Sequence, residues 1–193
     1  DELTKLGLRV RTCGGTGLIA DLDVPGATGR IAWRADMDAL PIQERTSHAY
    51  RSQCDGVAHL CGHDGHMAVL LGAATLLAGR RGQLKQSVRL ICQPSEELPP
   101  GGAKQLIAEG ALDGVDSVFG LHCEPSIPVG TVATRAGALM ASADRFVVTV
   151  KGRGGHAALP HTTIDPVPAV AAMVFGARFT PSGAPATVTV PIA

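Results

Sequence analysis

SVRLICQPSEELPPGGAKQLIAEG, residues 87–110, runs from a short apolar segment through a proline-marked turn into a segment that ends on glycine. Val88, Leu90 and Ile91 suit a strand over residues 87–92, and residues 102–110 suit a short helix stopped by Gly110. Working outward, residues 65–79 carry Met67, Leu70, Leu71, Ala74, Leu77 and Ala78 at helical spacing, so a longer helix precedes that strand. Residues 17–21, 30–34 and 117–122 are the other strand candidates. Strands alternating with helices predict an α/β layer fold in which helices cover a sheet.

The pattern loosens at RAGALMAS, residues 135–142, before the strong alternation of RFVVTVK, residues 145–151, which predicts a new strand. A domain boundary is expected there, dividing the chain into residues 1–138 and 139–193. Beyond a glycine turn at 152–155, residues 165–179 predict a helix with Pro166 and Pro168 in its first turn.

Composition narrows the class of function. A chain of 193 residues with 45% hydrophobic content can bury a core, and its 17 basic residues balance its 17 acidic ones. No basic face gathers phosphates, so nucleic acid is not an expected partner. No apolar run approaches the roughly 18 residues needed to cross a bilayer, and the first residues lack the basic-then-apolar form of a secretion signal, so no membrane partner is expected. A start at Asp1 without methionine predicts a natural amino terminus that lies upstream or has been processed. Cys13, Cys54, Cys61, Cys92 and Cys123 are odd in number and scattered, with no C-x-x-C pair. That spacing argues against a disulfide framework and predicts a reducing cytoplasm.

The densest polar cluster is HLCGHDGH, residues 59–66, at a glycine-punctuated turn that opens the long helix. In an extended segment residues two apart face one side, so Cys61 and His63 can grip one metal. Asp64 suits the helix N-cap or an acceptor for a ligand imidazole. Glu96 and Glu97 follow a strand, where α/β folds place their sites; one can ligate a metal while the other deprotonates a water. His122 ends another strand, and Asp36 and Asp38 end a third, where alternation points both carboxylates to one face as supports or ligands. His156 and His161 bracket a turn in the second domain, and His156 is a candidate donor to an oxyanion. The competing reading is a buried reduced cysteine, surface histidines and solvated loop carboxylates.

RADMDALP (34–41), CGHDGH (61–66), QPSEE (93–97), GLH (120–122) and GGHAALPH (154–161) occur in that order. Together they resemble the metallopeptidase superfamily of aminoacylases and carboxypeptidases, in its hippurate hydrolase and indoleacetyl-amino-acid hydrolase branch. The resemblance implies a mixed-sheet α/β metallopeptidase catalytic domain, of the phosphorylase/hydrolase-like kind, followed by the start of a smaller α+β lid or dimerisation domain. It implies that Cys61, His63, Glu97 and His122 are metal ligands, that Glu96 is the general base, and that His156 polarises the substrate carbonyl. It further implies two divalent metal ions, zinc or manganese, a small N-acyl amino acid as substrate, and a homodimer or higher assembly through the lid domain. Members run to about twice this length and supply a last metal-binding histidine, whereas no histidine follows His161. The rival expectation is therefore a truncated, non-catalytic metal-binding or assembly relative.

Overall fold

The computed structural model describes residues 2–140 and 147–176. The chain forms two compact units, Asp1–Ser126 and Ile127–Ala193. In the first, a single helical turn α1 (Glu2–Lys5) leads into β1 (Arg9–Cys13), β2 (Gly17–Leu22) and β3 (Arg30–Asp36). Helix α2 (His63–Ala78), β4 (Ser87–Gln93), α3 (Gly102–Ala108) and β5 (Ser117–Gly120) follow. The sheet order is β1-β2-β4-β3-β5. β2 pairs antiparallel with β1 and β4, while β3 pairs parallel with β4 and β5. The expected α/β fold is thus a mixed sheet.

Each face of the sheet carries its own core. Ala20, Leu22, Ala35, Val88, Leu90 and Cys92 pack with Leu70 and Ala74 of α2 on one side. Cys13, Ile19, Ala32 and Ile91 pack with Leu106 of α3 and with Ala111 on the other. Strand β4 is buried at every residue, so its near-continuous apolar run reflects cover on both faces. Burying Leu70 alone contributes roughly 1.5–3 kcal/mol.

The four strands expected in the first unit are present: β3 and β4 extend further toward the site than expected, whereas β5 stops at Gly120, two residues short of His122. β1 went unread because its RVRTC sequence is mostly exposed and lies at the sheet edge. Helix α2 buries His63, His66, Leu70 and Ala74. Part of the apolar stripe expected there is wrong, because Leu71 stays 37% exposed. The face that meets the sheet is set by the two histidines. Asp64 does not cap this helix: the N-cap is Gly62, in the left-handed conformation at φ 85°, without a side-chain cap.

These connections place the site. β3 and β4 run parallel with α2 between them, and β5 lies parallel on the other side of β3. The carboxyl ends of all three strands therefore reach one edge; there the chain leaves β3 for β4 on one side, and leaves β4 to cross back past β3 to β5 on the other. That arrangement opens a crevice at the carboxyl ends.

In the second unit, Arg153 and Ile164 form an isolated antiparallel bridge, Pro160–Thr162 makes a 3-10 turn, and α4 spans Val167–Gly176. Of the strand expected at 145–151, residues 145 and 146 lie outside the described residues, and 147–151 is irregular. Among the described residues no segment pairs with it, and a strand without a partner has no ladder to form. The helix expected over 165–179 starts at Val167, just after Pro166; residues 177–179 lie outside the described residues.

Candidate metal centre

The end of β3 brings Asp36 and the segment after it Asp38, the turn into α2 brings Cys61 and His63, the loop after β4 brings Glu96 and Glu97, and the end of β5 leads to His122. Cys61 and His63 do not converge through an extended segment. Gly62 folds back between them in a left-handed conformation, and a Cβ there would lie 3.2 Å from the Cβ of Cys123. Ser95 also takes a positive φ, 52°, immediately before the glutamates. Such a backbone in a non-glycine residue costs on the order of 1 kcal/mol. It turns the chain out of β4, and Gly102 N–H closes the loop by donating to Ser95 O at 2.9 Å.

Three groups of ligand-capable atoms share His63, and two of them join the residues singled out as ligands and base. Cys61, His63 and His122 form one, and His63, Glu96 and Glu97 form the other, with the atoms of each group within 4.8 Å of one another. The Cys61 Sγ lies 3.5 Å from His122 Nε2. His63 Nε2 lies 3.7 Å from Glu97 Oε1 and 3.7 Å from Asp36 Oδ2. His63 is 1% exposed, whereas Glu96 and His122 are exposed and Cys61 is half-buried.

The hydrogen bonds fix which ring nitrogens are free. His63 Nδ1 donates to Asp38 O at 2.9 Å, and His122 Nδ1 donates to Cys123 O at 2.7 Å. A carbonyl oxygen only accepts, so in both rings Nδ1 carries the proton and Nε2 keeps its lone pair. The Nε2 of His63 is buried without a hydrogen-bond partner, as is Asp38 Oδ1. Buried polar atoms are nearly always satisfied, and an unpaired lone pair among carboxylates is what a cation would satisfy. A thiol, two imidazoles and two glutamates therefore fit a divalent metal.

Asp38 also accepts the Glu97 amide hydrogen at 3.1 Å on Oδ2. Burial pushes its carboxyl up, but amide hydrogen bonds from Glu96 and Glu97 outweigh this and hold it below the usual carboxylate range. Burial, followed by the hydrogen bond and charge of Glu97, pushes the Cys61 thiol up to about 11. Cys61 thus lacks the depressed pKa of a redox-reactive thiolate.

Of the residues singled out from sequence, Cys61, His63, Glu96, Glu97 and His122 come together. His156 stands in the second unit, exposed, where its Nδ1 accepts the Ala158 amide hydrogen at 3.1 Å. Sequence reasoning did not assign His66 a role. Its signal was its place three residues after His63, on the same face of α2.

A mixed α/β sheet with a thiol-imidazole-carboxylate cluster at its carboxyl edge defines an α/β scaffold with a candidate metal centre. The chain belongs to the peptidase family M20/M25/M40, which it matches over residues 32–191. It is 47% identical to an N-acetylcysteine deacetylase of Bacillus subtilis over 83% of this chain and 42% of the relative. It is 45% identical to an IAA-amino acid hydrolase ILR1-like 2 of Arabidopsis thaliana over 90% of this chain and 39% of the relative. A crystal structure of a dinuclear metal binding peptidase of this family from Bacillus subtilis superposes with a TM-score of 0.69 at 43% identity, over 73% of this chain and 40% of that one. The chain thus spans about two fifths of the length of these relatives. The resemblance carried by the ordered motifs is borne out.

Proposed function

We propose that the protein is a metal-dependent amidohydrolase that cleaves the amide bond of N-acyl amino acids, with acetyl, hippurate-like and indoleacetyl conjugates as its substrate class. One observation carries the reading: a thiol, two imidazoles whose Nε2 atoms carry no proton and two glutamates converge where three strands end. The names of the relatives support the substrate class.

Cys61, His63, Glu97 and His122 are assigned as ligands for two divalent ions. The thiol favours zinc, and the carboxylate and imidazoles also suit manganese. Ions held there would supply Lewis acidity toward the scissile carbonyl and a nearby water. Glu96 takes the proton of the attacking water and passes it to the amine nitrogen as the C–N bond breaks. His156 donates to the carbonyl oxygen as negative charge builds on it. The bond from the Ala158 amide occupies its Nδ1, so in the neutral ring the proton sits on Nε2, where a donor must carry it.

The second unit is assigned as the start of the lid or dimerisation domain, through which the whole protein forms a homodimer or higher assembly. A cytoplasmic setting is supported by the five unpaired cysteines. No helix among the described residues is long and apolar enough to cross a membrane.

Changing Glu96→Gln in the full chain tests the reading. Elemental analysis should find metal retained, while turnover of a panel of acetyl-, benzoyl- and indoleacetyl-amino acids falls about 10²–10⁴-fold, the range for a lost general base. Near-normal hydrolysis in that variant would sink the assignment.

A further inference from the structure

We propose that His66 is a positioning residue and not a metal ligand: with Asp36 it clamps the Cys123 amide and so holds His122 at the metal centre. The inference rests on the metal-centre reading above.

Proximity alone argues the other way. The His66 ring centroid lies 4.8 Å from that of His122 and 5.4 Å from that of His63, closer than the 6.4 Å between His63 and His122. Asp36, His63 and His66 also form a fully buried group with ligand-capable atoms within 4.8 Å. By distance and burial, His66 is as good a ligand as either neighbour.

Its hydrogen bonds decide otherwise. A neutral imidazole has one donor nitrogen and one acceptor nitrogen. The Nδ1 of His66 meets Asp36 Oδ1 at 2.5 Å, and the carboxylate takes its proton as acceptor. The Cys123 N–H donates to His66 Nε2 at 2.8 Å, which occupies the remaining lone pair. His66 has nothing left to offer a cation, in contrast to His63, whose Nε2 has no partner, and to His122, whose Nε2 meets only the thiol of Cys61, a fellow ligand candidate.

The clamp is anchored in the sheet. Asp36 Oδ2 accepts from Arg34 at 2.7 Å, and Arg34 Nε donates to Gln93 Oε1 at 2.9 Å. A continuous path therefore runs from Gln93 at the end of β4, through Arg34 and Asp36 of β3 and His66 of α2, to the amide of Cys123. That far end is the part that needs holding. β5 is an edge strand exposed along its whole length, its ladder ends at Gly120, and residues 121–124 have no regular structure. His122 sits in that stretch, one residue before the clamped amide. Partners one step removed from a metal ligand typically carry about 10–100-fold in metal affinity.

The test uses the full chain with ¹⁵N-labelled histidine. In the metal-free protein, two-bond ¹H–¹⁵N correlations should show His66 with Nδ1 protonated and Nε2 bare. Loaded with ¹¹³Cd, the protein should show metal–nitrogen couplings at His63 and His122 and none at His66. A coupling at His66, or a proton on its Nε2, overturns the proposal. Couplings at none of the three would instead overturn the metal-centre reading, and this inference with it. In His66→Ala, the coupling at His122 should be lost or weakened, that at His63 should persist, and cadmium affinity should fall about 10–100-fold. His66→Gln, which keeps one donor and one acceptor, should recover part of that loss. Unchanged affinity with an intact His122 coupling in His66→Ala would also overturn the proposal.

Discussion

The two ends of β3 and β4 each bury a polar cluster, and the clusters are finished differently. At the amino ends, Asp21 is gripped by Arg89 through Nε at 2.8 Å and a second nitrogen at 3.1 Å, with Arg30 and Arg9 each at 3.1 Å. The remaining Arg89 nitrogen donates to the carbonyls of Gly110, Ala111 and Asp113. At the carboxyl ends, Asp36 and His66 are likewise saturated, but His63 Nε2 and Asp38 Oδ1 are left without partners. The first cluster satisfies itself and ties sheet to loop. The second holds its outer members so that its inner ones stay open, as a binding site requires and a structural cluster avoids.

The largest expected effect comes from the residue that both ligand groups share. His63→Leu should remove metal from both groups and lower kcat/KM by about 10³-fold or more. The metal-free variant should lose only about 1–2 kcal/mol, because the orphaned Nε2 goes while the Asp38 carbonyl loses one donor. Elemental analysis and urea unfolding after chelation check the two halves. A large loss of metal-free stability would place His63 in the same structural role as Asp21.

The opposite pattern is expected at the amino end. Asp21→Asn breaks a buried pair while leaving Arg89 its three carbonyl acceptors, so it should cost about 3 kcal/mol of unfolding free energy. Metal affinity and turnover per folded molecule should be unchanged. Metal loss in this variant would show that the two clusters are coupled along the strands.

The sequence made the strand-end acids, the helix with its histidines and the alternation of elements readable, because each depends on neighbours a few residues away. It did not reveal which histidine is open and which is closed. The groups that close His66 lie 30 and 57 residues away in the chain. Asp64 stands where a cap is expected, yet the left-handed Gly62 begins the helix one residue before His63. The RVRTC strand has no apolar alternation to announce it; its pairing with β2 alone makes it a strand. What stayed hidden was pairing across the sheet.

A smaller effect separates the clusters by pH. Burial pushes the Asp21 carboxyl up, but hydrogen bonding to Arg89 and the charges of Arg89, Arg30 and Arg9 outweigh it, leaving the carboxyl below its usual value. A depressed folded pKa gives stability that is present above the unfolded value, about 3.9, and is lost as pH falls through the folded one. The difference in unfolding free energy between parent and Asp21→Asn should therefore be full near neutrality and shrink below pH about 4. A gap that stayed constant down to the acid transition would mean that the ion pairs contribute nothing beyond the packing of the side chain.

A smaller loss of stability than at Asp21 is expected at Gly62, yet it probes the open cluster most directly. An alanine must hold φ near 85°, which costs about 1–2 kcal/mol, and its Cβ meets Cys123 at 3.2 Å. Cys123 carries the clamped amide, so the contact should displace the segment bearing His122 as well as the turn that aims Cys61. Gly62→Ala should thus lose about 1–2 kcal/mol by urea unfolding, and it should also weaken metal binding, which the more destabilising Asp21→Asn leaves alone. Stability and metal affinity then fall in opposite order across the two variants. If Gly62→Ala bound metal as tightly as the parent, the left-handed turn would be a helix boundary only, and the geometry of the open cluster would have to be set by the strand ends alone.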